Sequence, residues 1–71
     1  MQHQFMVKDL KSGTEWPGVA HDRDGLSALY YTLVRYLCER FGSGYDTSEV
    51  KIYCQSDFGW VEVKSFSEVG F

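Results

Sequence analysis

Asp24-Gly25-Leu26-Ser27-Ala28-Leu29-Tyr30-Tyr31-Thr32-Leu33-Val34-Arg35-Tyr36-Leu37-Cys38-Glu39-Arg40-Phe41 is the one long stretch of this chain whose apolar residues recur at helical spacing. At about 100° per residue, Leu26, Leu29, Tyr30, Leu33, Val34, Tyr36, Leu37 and Phe41 fall in one broad arc. Ala28, Thr32, Arg35 and Glu39 cluster opposite them. The spacing predicts a single amphipathic helix over 24–41. Asp22 or Asp24 is placed to accept backbone N–H bonds at its start, and Gly42 to close its last turn.

On either side of the helix the period changes from 3.6 to 2. Before it, Gln4 to Leu10 reads as a strand with both faces partly apolar, Phe5 and Val7 alternating with Met6, Lys8 and Leu10. A strand of that kind belongs inside a sheet. Lys11-Ser12-Gly13-Thr14 is a turn, and Glu15, Trp16, Val19 and His21 lie on the returning strand. Pro17 lacks an N–H and confines that strand to an edge, while Gly18 beside it suggests a kink or bulge.

After the helix, Tyr45-Asp46-Thr47-Ser48 is polar loop, and Val50, Ile52 and Cys54 then alternate with Lys51, Tyr53 and Gln55. Ser56-Asp57-Phe58-Gly59 turns the chain, and Trp60 to Phe66 runs back with Val61 and Val63 on one side and Trp60, Glu62, Lys64 and Phe66 on the other. Ser67 to Phe71 extends that strand or frays. The element order is β-β-α-β-β. The expected fold is α+β: one compact domain over residues 1–71, a four-stranded antiparallel sheet with one helix packed across one face. Strand order stays open, although short connections favour each hairpin remaining paired.

Size limits what such a domain can do. A chain of 71 residues buries only roughly 60% of its unfolded surface, so the core is small, and an interface could supply further burial. Hydrophobic residues make up 44% of it, too many for a disordered tail. Net charge is −3, which argues against a phosphate-binding surface. The excess is local: residues 43–71 carry Lys51 and Lys64 against Asp46, Glu49, Asp57, Glu62 and Glu68. Cys38 and Cys54 are not in C-x-x-C spacing, no apolar run has membrane-spanning length, and Met1-Gln2-His3-Gln4 carries no leader signature. A cytoplasmic protein with reduced cysteines and no membrane association is expected.

Catalytic and ligand-binding patterns are weak. Asp22-Arg23-Asp24-Gly25 resembles the opening of a calcium loop only superficially, because its glycine comes too early and no bidentate glutamate follows; helix capping accounts for it. His3, His21 and Asp22 have no metal-ligand spacing, and no metal or other cofactor is expected. Cys38 with His21, or either with Asp24, could do chemistry only if tertiary structure brought them together. The glycines lack the length and lysine of a phosphate loop. The expectation is a protein that is not an enzyme.

One helix covers one face of a four-stranded sheet, leaving the other for solvent or a partner. On the second hairpin that outer side carries Tyr53, Trp60 and Phe66 among Lys51, Glu62 and Lys64, with Asp57 in the turn; aromatic anchors among charges are typical of an interface centre. The aromatics could alternatively stiffen a two-stranded ribbon by cross-strand pairing. Stacking on nucleic acid is disfavoured by the balanced local charge. The leading expectation is a small non-catalytic protein-binding module that occludes a partner's surface, as an inhibitor or assembly subunit, with a size and architecture also seen in small phage and mobile-element proteins. Two alternatives accompany it. One is an acidic mimic of nucleic acid that uses Asp46, Glu49, Asp57, Glu62 and Glu68 against a basic nucleic-acid-binding protein; the other is a homodimeric structural module whose two sheets close on each other.

Overall fold

A computed structural model describes residues 3–71. Its elements are β1 (His3–Asp9), β2 (Glu15–Ala20), α1 (Arg23–Phe41), β3 (Val50–Ser56), β4 (Gly59–Glu62) and a 3₁₀ turn, Phe66–Glu68. The sheet is antiparallel throughout, in the order β2-β1-β3-β4. The α+β, β-β-α-β-β expectation is therefore met, with β1 inside the sheet and the proline-bearing strand at an edge.

The helix starts where Asp22 Oδ1 accepts the Gly25 N–H at 2.8 Å and stops at Gly42, whose φ of 107° only glycine adopts without strain. Gly13, at φ 79°, does the same for the β1–β2 turn. The buried hydrophobic residues are Phe5, Val7, Ala20, Leu26, Leu33, Leu37, Val50 and Ile52, one cluster between the helix and the inner faces of β1, β2 and β3. The apolar arc is narrower than its sequence periodicity implies. Tyr36 and Phe41 are exposed: Tyr36 lies against Trp16 with ring centroids 5.6 Å apart, and Phe41 stacks on Tyr45 at 4.8 Å. The helix packs chiefly on β2 and β1.

That placement leaves the inner side of β3 and β4 in need of a second cover, and the C-terminal segment supplies it. The strand expected over Trp60–Phe66 ends at Glu62. Val63 still donates to the Ile52 carbonyl at 2.8 Å, but the chain then bends. Ser65 caps the 3₁₀ turn, and Glu68 Oε2 accepts the Lys64 N–H at 3.3 Å. Phe66 and Val69 pack against the core, and the Phe71 ring meets His3 edge-on at 5.5 Å. The tail neither extends the strand nor frays.

Gly18 also has a different role from the one its position beside Pro17 suggests. Register runs one-to-one from His3↔Ala20 to Lys8↔Glu15, with no bulge. A Cβ on Gly18 would lie 2.6 Å from Leu29 Cδ1, so the glycine is there to let the helix approach the sheet. Gly18→Ala, which in a strand normally helps, is expected to cost about 1 kcal/mol here because Leu29 must move. In a denaturant double-mutant cycle with Leu29→Ala that cost should vanish; a persisting cost would place the strain elsewhere.

At the turn after β1, Asp9 is fully buried. Its inward position follows from the same alternation that buries Phe5 and Val7. The carboxylate accepts from the Lys11 and Ser12 N–H groups, from Ser12 Oγ at 2.7 Å and from the Tyr45 hydroxyl, tying the first turn to the loop before β3. Burial pushes the Asp9 carboxyl up, but the bonds from Tyr45, Ser12 and Lys11 together outweigh it and hold it below its ordinary value. The bond to Asp9 in turn raises the Tyr45 phenol.

Because the folded Asp9 titrates lower than the unfolded one, its stabilisation is complete above the ordinary value of 3.8 and is lost as pH falls through the folded value. Asp9→Asn should lower unfolding free energy at neutral pH by about 1.5–3 kcal/mol. The gap to the native chain should narrow in urea melts on the acid side, and a gap independent of pH would contradict this account.

Candidate functional site

Alternation and register together define the uncovered face. Its central row is Pro17, Met6, Tyr53 and Glu62 across the four strands, from the pairs Met6↔Pro17, Met6↔Tyr53 and Tyr53↔Glu62. One step towards the β1–β2 turn, Glu15, Lys8 and Lys51 form the next row; one step towards the β3–β4 turn, Val19 pairs with Gln4 and Trp60 with Gln55. Trp60 is 46% exposed and lies as a ridge between two grooves, one lined by Met6, Lys8, Glu15 and Tyr53, the other by Gln4, Pro17 and Val19. The edge strand thus places its aromatic ring across the face.

The structure gathers Tyr53, Trp60, Glu62 and Lys51 on this face. Lys64 stands at its margin, lining one groove with Lys51, and Asp57 sits at the tip of the β3–β4 hairpin. Phe66 does not belong with them: the chain bends after Glu62, and its ring packs against the core on the covered side. Three contributors were missed. Met6 and Lys8 lie opposite Phe5 and Val7 by simple alternation, but without strand order nothing places β1 beside Tyr53. Phe58 occupies the hairpin tip 97% exposed, and its being a large apolar residue inside a tight turn was the available signal.

Charge on the face is unevenly distributed. Lys8 pairs with Glu15 Oε1 at 3.3 Å, and Lys8 and Lys51 are directly opposite across β1 and β3, a like-charge juxtaposition that costs a sheet stability. Among the described residues neither Lys51 nor Lys64 has an ion pair. The acidic residues do not form one surface: Asp46 and Glu49 lie in the loop before β3, Asp57 lies at the far end of that strand, Glu62 is on the open face, and Glu68 bonds the Lys64 backbone. The Asp46 carboxyl is held down by the Ser48 N–H and serves its own loop.

Cys38 stands far from the two polar residues at the helix start. Asp24 and Cys38 lie on the same helix, about 21 Å apart along its axis at about 1.5 Å per residue, and His21 precedes that helix. Cys38 and Cys54 are free thiols. Among the described residues no group of three or more His, Cys, Asp or Glu side chains is placed to hold a metal ion, and no helix is long and apolar enough to cross a membrane. The chain matches no protein-family model, no curated protein and no solved structure.

Proposed function

We propose that this chain is a non-catalytic, cytoplasmic protein-binding module that lays the open face of its sheet on a partner protein and blocks the surface it covers, as an inhibitor or an assembly subunit. The observation that carries this reading is Trp60, a half-exposed indole held across a four-stranded face with Met6, Pro17 and Tyr53 around it. A ring in that position contributes little to the monomer's own core and is suited to act as the desolvated anchor of an interface. The charged margin of Lys51, Glu62 and Lys64 forms the polar rim that fixes orientation.

Occlusion through an acidic surface receives less support. Five carboxylates scattered over the loop before β3, the β3–β4 tip, the open face and the 3₁₀ turn do not reproduce the regular charge of a phosphate backbone. The test is affinity capture on the immobilised native chain and on its Trp60→Ala variant. A protein retained by the first and lost by the second, with retention insensitive to salt, supports the reading; equal retention by both removes it.

A further inference from the structure

The geometry points to a second copy of this chain at the β4 rim of the sheet, paired strand to strand about a two-fold axis at Val61, so that the two four-stranded sheets run on as one. The contact uses the rim alone, and the open face stays available in both copies.

The two rims are built differently. At β2, the Asp9 N–H donates to the Thr14 carbonyl at 2.9 Å, and alternation then sends the peptide groups of Trp16 and Gly18 towards β1 and those of Glu15, Pro17 and Val19 outwards. The middle residue of that outward row is proline, which has no N–H to offer and guards the edge. At β4, the Val63 N–H donates to the Ile52 carbonyl at 2.8 Å, so Val61 also turns to β3, while Trp60 and Glu62 present their N–H and C=O groups outwards. Gly59–Glu62 holds neither proline nor lysine. The Trp60 ring lies back across the face towards Met6 and Val19 and does not screen its own peptide groups. An unguarded row of this kind is a template for another strand.

The row is complementary to itself. Its free length is Trp60 to Glu62: on one side the chain turns at the hairpin tip, and on the other it bends, with the Lys64 N–H already donated to Glu68 Oε2 at 3.3 Å. With the axis at Val61, each Trp60 stands opposite the other copy's Glu62, and every free N–H of the row meets a free C=O. On the helix-covered side, Val61, which is 52% exposed, meets the other Val61 at a non-hydrogen-bonded position, where cross-strand side chains come closest and β-branched pairs pack well. The same register brings each Lys64, without an ion pair among the described residues, level with the other copy's tip, where Asp57 and the exposed Phe58 ring offer an acid and an aromatic face. An unrelated strand satisfies the peptide groups alone. Because the contact is the same in both directions and the outer rims then carry Pro17, the assembly closes at two copies. An axis normal to the sheet keeps both open faces on one side, with the two Trp60 rings on a continuous surface. So short a seam implies a weak, reversible dimer, with a Kd on the order of 0.1–1 mM.

Amide NMR spectra and sedimentation velocity of the native chain, from about 50 μM to about 2 mM, test this. The mass should rise towards that of a dimer, and the Trp60 and Glu62 amide signals should move with concentration. Val61→Lys sets two ammonium groups against each other at the closest point of the seam and should weaken the dimer about tenfold or more, with the remaining amide signals in place. Glu62→Pro, which removes an N–H that β3 does not use, should do the same, whereas Val61→Ile should dimerise like the native chain. A native chain that stays monomeric throughout, a dimer indifferent to both Val61→Lys and Glu62→Pro, or concentration-dependent signals confined to Met6, Tyr53 and Val19 on the open face overturn the inference. Val61 points away from that face, so Val61→Lys should leave capture of a partner through Trp60 intact. Failure of the dimer and failure of the open-face reading are therefore separable.

Discussion

Leu33→Ala is expected to remove about 2–5 kcal/mol of unfolding free energy, enough to leave much of the chain unfolded near room temperature. Leu33 is fully buried at the middle of the helix's inner stripe, with Leu37 one turn and Leu26 two turns away and the buried residues of β1 and β3 beneath. The cost has two parts: the transfer free energy of the lost methyl and methylene groups, and the void that surrounding side chains cannot fill. Little reserve is available, since a domain of this size typically holds about 3–5 kcal/mol from a single core. Tyr31→Ala, two residues earlier on the same helix but 62% exposed, should move stability by less than about 1 kcal/mol. Urea titrations monitored by circular dichroism at 222 nm, an approximate helix wavelength, compare the two directly. Equal effects would mean that the helix is held by its own propensity and not by the core.

The second large effect separates binding from folding. Trp60→Ala should weaken the captured partner by about 2–4 kcal/mol, roughly 30- to 1000-fold in affinity, while changing unfolding free energy by no more than about 1 kcal/mol. The asymmetry follows from where the ring lies. It belongs to a four-residue edge strand, lines grooves of the outer face with Met6, Tyr53 and Val19, and is not among the residues that form the core or pack against it. In a complex the same ring becomes fully desolvated, and its removal leaves a gap on both partners. Isothermal titration at two salt concentrations provides the check. An aromatic anchor loses little affinity with added salt, whereas an electrostatic mimic loses much of it. Affinity that survives the substitution, or that collapses with salt, would move the interface away from Trp60.

The order of elements, both helix ends and the edge position of β2 could be read from residues because each depends on local physics: a period, a capping aspartate, a glycine at positive φ, a proline without a donor. Strand order could not. Alternation tells which side of a strand is inward, but β1 finds β3 through pairings more than forty residues apart, such as Asp9↔Val50, and nothing local encodes that choice. This is why Met6 and Lys8, the β1 part of the candidate face, went unseen while Tyr53, Trp60 and Glu62 were found.

Phe66 was misplaced for the opposite reason, because a local signal was overlooked. Alternation continues through Lys64-Ser65-Phe66, but Ser65-Phe66-Ser67-Glu68 has the spacing of a capping box, and the chain turns there. Asp9 hid similarly. Asp9-Leu10-Lys11-Ser12-Gly13 carries the signature of an Asx turn, yet the burial of its carboxylate depends on Tyr45, which arrives from the far side of the helix.

The central strand therefore has a debt to distance. β1 joins one neighbour through a four-residue reversal and the other only after everything between them has been threaded past, and closing a loop of roughly 40 residues carries about 3 kcal/mol of entropy on top of a constant. A molecule in which the N-terminal half had matured while the C-terminal half wandered would have its middle strand bare along one rim. Acquisition of structure is consequently concerted: the moment Val7 and Ile52 find each other is the moment the whole sheet becomes worth keeping.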